Sequence, residues 1–245
     1  MKLLAFETAT EACSVALWID GQVRERFEVA PRRHAELSLP WAGELLAEAG
    51  IARSSLDAIA VGRGPGAFTG VRLAIAIAQG IALALDRPIV PVSTLAALAA
   101  SLPNDLPLAG ADAGEPDIRY VLAAIDARMG EVYSGAFLLG GAGAIEGLGA
   151  EAVGAPGSVP LAAGERWHGV GTGFAAADGA LQARLQGRLL TVDATALPRA
   201  GAMARLAAAA FERGEAVDPE KVEPAYLRNN VALTITEQRA LRAGR

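Results

Sequence analysis

Apolar residues are packed most densely between Val71 and Leu85, where Arg72 and Gln79 are the only strongly polar positions. The apolar side chains do not keep to one stripe, so the pattern predicts a long helix that needs cover on every side. One face can meet a sheet of the same chain. The other could be covered by the rest of the chain, as in a central core helix, but we expect a partner to cover it. The segment is too short and too rich in alanine to predict a membrane span.

A glycine-rich turn precedes this helix. The apolar run Ile59–Val61 predicts a strand leading into the turn, and Thr69 is the expected N-cap of the helix. Strand, glycine-rich loop and helix N-terminus together are typical of anion binding, but a tight turn without a ligand explains the same residues. The turn residues that distinguish it are Gly62, Gly64, Pro65, Gly66 and Gly70.

Three strands are predicted before the first helix. Leu3–Phe6 and Cys13–Ile19 are apolar runs, and Asp20 with Gly21 is a hairpin signal leading into Gln22–Val29. The single cysteine, Cys13, is expected to be a small buried side chain.

The turn after the first strand carries candidate phosphate contacts. Glu7, Thr8 and Thr10 place one carboxylate and two hydroxyls there, and Gly64 and Gly66 could complete the set. A solvated, capped turn explains these residues equally well.

A helix is predicted from the PRRHAELSLP segment to Ala49, where Gly50 ends it. His34 stands near its start, and an isolated histidine is more often structural than catalytic. A further strand is predicted at Ile89–Val92, with Ser93 capping a short helix after it.

The second half of the chain repeats the pattern of the first. Tyr120–Ile125 and Glu131–Leu139 predict two strands, as in the first hairpin, and Trp167–Phe174 predicts a strand with a glycine turn. Leu189–Val192, followed by an alanine-rich helix to Phe211, matches the later part of the first half. Such internal repetition predicts two α/β lobes with a ligand cleft between them.

Composition limits the function classes. The 245 residues carry a net charge of −5, and 52% are hydrophobic. The negative charge argues against direct nucleic-acid binding by this chain alone, because phosphate binding uses clustered Lys and Arg. One cysteine excludes an internal disulfide, and the N-terminus lacks a full signal-peptide pattern. We therefore expect a cytoplasmic protein without membrane contact.

Five segments, spread in order over nearly the whole chain, resemble the TsaB family of tRNA threonylcarbamoyladenosine biosynthesis, a branch of the M22 peptidase-like proteins. The glycine-loop segment is the most specific of them. They are LLAFETATEACSVAL (Leu3–Leu17), RHAELSLP (Arg33–Pro40), GRGPGAFTGVRLAIAIAQG (Gly62–Gly80), DARMGEVY (Asp126–Tyr133) and PAYLR (Pro224–Arg228).

The resemblance implies a two-lobed, duplicated fold of the actin/Hsp70/sugar-kinase (RNase H-like) type with a reduced second lobe. We expect residues 1–103 to form the N-terminal lobe with the dimerisation helices. Residues 104–245 then form a smaller C-terminal lobe, whose terminal segment packs back on the first. Glu7 stands where many members of the family have Asp.

The resemblance also implies a non-catalytic subunit that binds TsaD, the paralogue that transfers threonylcarbamoyl to the adenosine beside the anticodon of tRNAs reading ANN codons. TsaE, an ATPase, is the second implied partner. Contact with tRNA is expected only through the complex, and any ATP or ADP only weakly, at the surface shared with the partners. In isolation the chain is expected to form a homodimer.

Two positions of this sequence support a non-catalytic role. In the paralogue, a His-x-x-x-His metal pair occupies the helix that matches the one after Ile89–Val92, and those positions fall at about Thr94 and Leu98 here. Leucine cannot ligate a metal, so we predict no metal site. Two alternatives stay open, an active phosphotransferase or ATPase of the sugar-kinase type and an M22-type metalloprotease.

The predicted interface lies on the two N-terminal-lobe helices. Its residues are His34, Leu37, Leu73, Ile77 and Ile81.

Overall fold

Residues 1–103, 106, 118–141, 144–161 and 166–228 are described by the structure, a computed structural model. Their order repeats a hairpin, a further strand and helices. The elements of the first half are β1 (Lys2–Glu7), β2 (Ala12–Ile19), β3 (Gln22–Val29), α1 (His34–Ala49), β4 (Ala58–Gly62), α2 (Phe68–Leu85), β5 (Ile89–Val92) and α3 (Thr94–Ala99). Those of the second half are β6 (Arg119–Arg128), β7 (Glu131–Leu139), β8 (Ile145–Gly147), β9 (Ala152–Gly154), β10 (Trp167–Val170), α4 (Ala176–Leu185), β11 (Leu189–Asp193) and α5 (Ala200–Glu212).

The two sheets share one strand order. The first runs β3-β2-β1-β4-β5, and the second runs β8-β7-β6-β10-β11 when read in the same sense, with β9 also paired to β7. In both, the hairpin strands pair antiparallel and the later strands pair parallel. The duplication predicted from the sequence and the α/β fold are therefore confirmed. The second copy is thinner, since β8 and β9 have three residues each.

Both faces of the first sheet are covered by helices. Because side chains alternate along a strand, Leu4 and Phe6 of β1 face the core shared with α1 and α2, whereas Leu3 and Ala5 face α5. On the α5 side, Met203 is fully buried among small residues. Alanine supplies most of the α5 contact, which lets helix and sheet approach closely.

The last helix of each half packs on the sheet of the other half. Leu95 and Leu98 of α3 lie in a core with Val121 and Phe137 of the second sheet. In return, α5 closes the outer face of the first sheet. The division at residues 103 and 104 stays a prediction, and these two helices cross it.

A return segment, Val217–Arg228, runs back along the first sheet and ends at the second. Val217 exchanges backbone hydrogen bonds of 2.8 and 2.9 Å with Ile89, and Val222 is buried in the core beneath α2. The amide of Ala225 donates to the carbonyl of Arg63 at 2.7 Å.

Several local predictions can be compared with the structure. Gly50 ends α1 in the left-handed conformation, and the Ser93 hydroxyl accepts from the amide of Ala96 at the start of α3, both as predicted. Cys13 is buried as predicted, and burial raises the pKa of its thiol. The N-cap prediction for α2 is wrong. That helix begins at Phe68 with Ala67 as N-cap and no side-chain cap, which leaves Thr69 within its first turn.

Candidate functional site

A cavity of about 500 Å³ lies between the two sheets. Much of its lining comes from the end of β6 and from the segments that follow β1, β4 and β10, at the carboxyl ends of parallel strands, and the rest comes from the segment after β3, from β7 and from the return segment. This is where open α/β sheets commonly place their ligands. The volume is within the range of small-molecule sites. The lining residues include Thr10, Gly66, Ile125, Asp126, Thr172 and Tyr226.

Glu7, at the end of β1, is held inside the protein instead of lining the cavity. Its side chain is 1% exposed, and Oε1 accepts from the amide of Ala9 at 2.7 Å. Oε2 accepts from the hydroxyl of Thr94 at 2.9 Å. Desolvation raises the pKa of Glu7 to about 7, because hydrogen bonds from the amides of Ala9 and Thr8 and from the hydroxyl of Thr94 only partly offset the cost of burying its charge. The carboxyl therefore keeps its proton to a higher pH than an exposed glutamate does.

The other four candidate phosphate contacts divide between the cavity and the protein interior. Thr10 and Gly66 line the cavity. Thr8 instead donates its hydroxyl to the carbonyl of Gly70 at 2.7 Å, and Gly64 packs beside Val71. The structure thus brings two of the five candidates to the cavity, and a phosphate role for any of them stays a prediction.

Close backbone approach explains some of the glycines in the turn. A Cβ at Gly62 would overlap the carboxylate of Glu7, and one at Gly70 would overlap the carbonyl oxygen of Thr8. Glycine is therefore required at these two positions by packing alone. The turn wraps tightly around the end of β1.

Thr94 and Leu98, where we expected the positions of a metal pair to fall, have other contacts here. Thr94 is fully buried and donates to Glu7, while Leu98 is fully buried against the second sheet. Within the described part of the chain, no three His, Cys, Asp or Glu side chains form a group that could hold a metal ion.

The outward side of α2 is an uncovered apolar face. Five of its eighteen residues are buried, and the helix is long and apolar enough to cross a membrane by composition, a test that core helices of other proteins also pass. Leu83 is 64% exposed. The outward residues follow a three-four spacing typical of a helix-packing seam. They are Thr69, Leu73, Ala76, Gly80 and Leu83.

The predicted interface residues on the helices are half-buried. Leu37, Leu73, Ile77 and Ile81 each leave part of the side chain exposed, and Ile77 and Ile81 also pack against the first core. His34 differs from them because it lines the cavity. Its Nε2 lies 2.9 Å from the carbonyl oxygen of Thr10.

The sequence did not predict an aromatic cluster at the mouth of the cavity. Arg72 donates from Nε to the hydroxyl of Tyr226 at 2.7 Å, and its guanidinium lies 3.8 Å from the ring centroid of Phe68. These contacts join α2 to the return segment. Only the PAYLR motif drew attention to this part of the chain, and it did so through resemblance.

The return segment also reaches the second sheet. Arg228 donates to the carbonyl of Ala127 at 3.1 Å and forms an ion pair with Glu131. The return segment therefore bounds the cavity on one side and connects α2 to the β6–β7 hairpin.

Known proteins resemble this chain over most of its length. Residues 27–235 match the family model described as TsaD, tRNA N6-adenosine threonylcarbamoyltransferase. The tRNA threonylcarbamoyladenosine biosynthesis protein TsaB of Escherichia coli (strain K12) is 43% identical, with 95% of this chain and 96% of that protein covered. TsaB of Haemophilus influenzae is 36% identical, with 94% and 95% covered.

A solved structure agrees with these matches. YeaZ from Pseudomonas aeruginosa superposes with a TM-score of 0.78 at 43% identity, covering 92% of this chain and 99% of that one. By contrast, a tRNA N6-adenosine threonylcarbamoyltransferase from Nitratidesulfovibrio vulgaris is matched over only 34% of its length. The chain therefore belongs to the TsaB (YeaZ) family, which shares a family model with the TsaD transferases.

Proposed function

We propose that the chain is the non-catalytic, partner-binding subunit of a system that makes threonylcarbamoyladenosine in tRNA. It would bind a TsaD-type transferase and a TsaE-type ATPase. The names of its full-length relatives, which are tRNA threonylcarbamoyladenosine biosynthesis proteins, support this assignment. The modified position is the adenosine beside the anticodon of tRNAs that read ANN codons.

The uncovered face of α2 is the observation on which the proposal depends. A helix with this many exposed apolar residues is costly to leave in water, and large exposed apolar patches mark protein interaction sites. The small residues Ala76, Gly80 and Ala84 let another helix approach closely. Leu39 of α1 is a further exposed apolar side chain on a helix that packs beside α2. The proposed occupant is the equivalent helical face of the TsaD-type paralogue.

A duplicated relative is the natural partner for this face. Paralogues that share a fold can pair through equivalent surfaces, and this produces a two-fold-like arrangement. In the absence of the paralogue, the same face would pair with a second copy of the chain. Weak ATP or ADP contacts would form only where the partners meet.

The non-catalytic role is supported by the contacts of Glu7 and Thr94. We expect the paralogue's metal-ligand positions to correspond to Thr94 and Leu98, of which Thr94 donates to the buried Glu7 and Leu98 offers no donor atom. Lewis-acid chemistry at this point of the fold would need ligands that these residues do not provide.

Charge insertion on the α2 face tests the proposal. Leu73→Asp and Ile77→Asp should abolish co-elution with the TsaD-type partner, because each charge would cost several kcal/mol when desolvated in the interface. Loss of threonylcarbamoyladenosine formation in the reconstituted system should follow. Val29→Asp is the matched control, because Val29 is exposed and apolar but lies on β3.

Folded Leu73→Asp and Ile77→Asp variants that still co-elute and support modification as the wild type does would refute the proposal. Circular dichroism establishes folding. Reconstitution without the chain gives the baseline for modification, and unchanged modification in its absence would also refute the role.

A further inference from the structure

The mouth of the interlobe cavity carries exposed rings and arginines that the partner-binding role does not use. Phe68 is 59% exposed, Tyr226 is 52% exposed, and Arg72 lies between them. Phe68 and Tyr226 have ring centroids 6.2 Å apart. Arg72 covers one face of Phe68, and the ring surface that stays exposed is of the kind on which proteins stack unpaired bases.

The cavity lining carries several arginines although the chain as a whole is negative. Three arginines and two carboxylates line it, whereas the whole chain has a net charge of −5. The carboxylate of Asp126 is bound by Arg128 at 3.0 Å. Arg32 is exposed and forms no ion pair with any residue that the structure describes. Arg228 is also paired, with Glu131, so Arg32 is the unpaired cation of the described lining and the side chain that could meet an anionic ligand.

Two of these arginines have a backbone conformation that favours glycine. Arg32 has φ of +70° and Arg128 has φ of +65°. Arg32 is the third residue of a turn closed by a 3.0 Å bond from the amide of Arg33 to the carbonyl of Ala30, with Pro31 second. Glycine or asparagine is usual at a third position with positive φ. Strain of this kind collects at ligand sites.

We propose that this cavity mouth is a direct contact for an unpaired nucleotide of an RNA chain. The base would stack on Phe68 and Tyr226, and the neighbouring phosphates would lie against Arg32 and Arg128. The inference rests on the proposed function, which brings the chain to tRNA, but it replaces an indirect role in RNA binding with a direct one. A duplex cannot present an unstacked base, so single-stranded RNA is the ligand.

Fluorescence anisotropy of the isolated full-length chain with fluorescein-labelled oligoadenylate tests the proposal. Binding should weaken as salt rises, and duplex RNA of equal length should compete poorly. Phe68→Leu should weaken binding about tenfold or more, whereas Phe68→Tyr should retain it, because only the second keeps a ring for stacking.

The variant Arg32→Gly tests whether the Arg32 side chain binds the ligand or only supports the fold. Arg32→Gly relieves the backbone strain, so the variant should unfold at an unchanged or higher temperature while RNA binding falls and its salt dependence drops by about 0.7 per lost phosphate contact. Arg53→Ala is the matched control, since Arg53 is also exposed and makes no ion pair within the described residues. It should bind RNA as the wild type does.

Four outcomes would overturn the proposal. They are no binding of oligoadenylate at low salt, equal binding of duplex RNA, unchanged binding by Phe68→Leu, and competition by AMP as effective as that by the oligonucleotide. The last would assign the site to a free mononucleotide. Co-elution with the TsaD-type partner is measured separately, so failure here leaves the proposed function standing.

Discussion

Glu7 is the residue whose environment in the structure differs most from the one that its neighbours in the sequence suggest. The sequence places it in a polar turn with two hydroxyls nearby, which suggested a solvated or ligand-facing carboxylate. The structure instead buries it behind Gly62, with Thr94 as its side-chain partner. A contact that spans 87 positions of the chain has no local signal, so sequence reasoning could identify the residue but not its environment.

Burial of Glu7 makes the stability of the protein depend on pH. Its pKa is about 7 in the folded chain and near 4.5 when unfolded, so the folded state binds more protons between these values. The free energy of unfolding should therefore fall as pH rises from 4.5 to 7, by on the order of 3 kcal/mol from this group. Glu7→Gln should remove that part of the slope, because an amide accepts from Ala9, donates to Thr94 and does not titrate.

Urea unfolding at several pH values across this window measures the effect as the difference between the wild type and Glu7→Gln. Glu36→Gln serves as the control, since Glu36 is exposed and its loss should leave the slope unchanged. Parallel curves for the wild type and Glu7→Gln would show that the carboxyl does not titrate in this range.

At the scale of elements, the position of α2 was predictable and its start was not. Hydrophobic density marked the helix from the sequence. Its first turn depends on long-range contacts, since the amide of Ala67 donates to the carbonyl of Ala9 at 2.7 Å and Thr8 reaches Gly70. These bonds begin the helix at Phe68, so Thr69 lies inside the first turn instead of capping it.

Two glycines of α2 should respond in opposite directions to alanine. Gly70→Ala should destabilise the fold by about 1–3 kcal/mol, because its Cβ would overlap the carbonyl oxygen of Thr8. Gly80→Ala should stabilise it by up to about 1 kcal/mol, because nothing lies within 4 Å of that Cβ and alanine is the better helix former. Chemical denaturation of the two variants side by side gives both values, and shifts of the same sign would contradict the packing argument.

Helix orientation was the second limit on prediction at this scale. An apolar pattern on all sides indicates that cover is needed but not which side lacks it. The structure shows that the inner side, with Ala74 and Ala78, meets the first sheet, and that the side with Leu73 and Leu83 is uncovered. The interface candidates Leu73, Ile77 and Ile81 lie on or beside that side, and their role stays a prediction.

At the scale of the whole molecule, duplication was readable because each half carries its own hairpin and glycine turn. The sequence did not predict that α3 and α5 pack on the sheet of the opposite half, since an alanine-rich helix fits the surface of either sheet equally well. The cavity position follows from the duplication, because it places the carboxyl ends of both sets of parallel strands together. The aromatic cluster at its mouth depends on the return segment, whose path has no periodic signal.

The return segment should loosen when its attachment to the second sheet is removed. Arg228→Ala deletes the contacts with Ala127 and Glu131, which are partly exposed and contribute at most about 1 kcal/mol to global stability. Hydrogen exchange at the amide of Ala225 should nevertheless accelerate, while exchange at the amide of Ile89 stays unchanged. Arg213→Ala removes a comparable surface pair with Glu215 and should affect neither amide. Equal exchange at Ala225 in the wild type and Arg228→Ala would contradict the attachment.

The exchange of α3 and α5 between the two sheets has a consequence for how such a chain can change over time. Deleting the thinner half would strip one side of the remaining sheet and expose Leu3, Ala5 and their neighbours to water. The second half can therefore lose loops and edge strands, but it cannot be lost entirely, because its helix α5 covers one side of the first sheet. Once two duplicated copies cover each other's sheets with their helices, neither half can fold stably without the other.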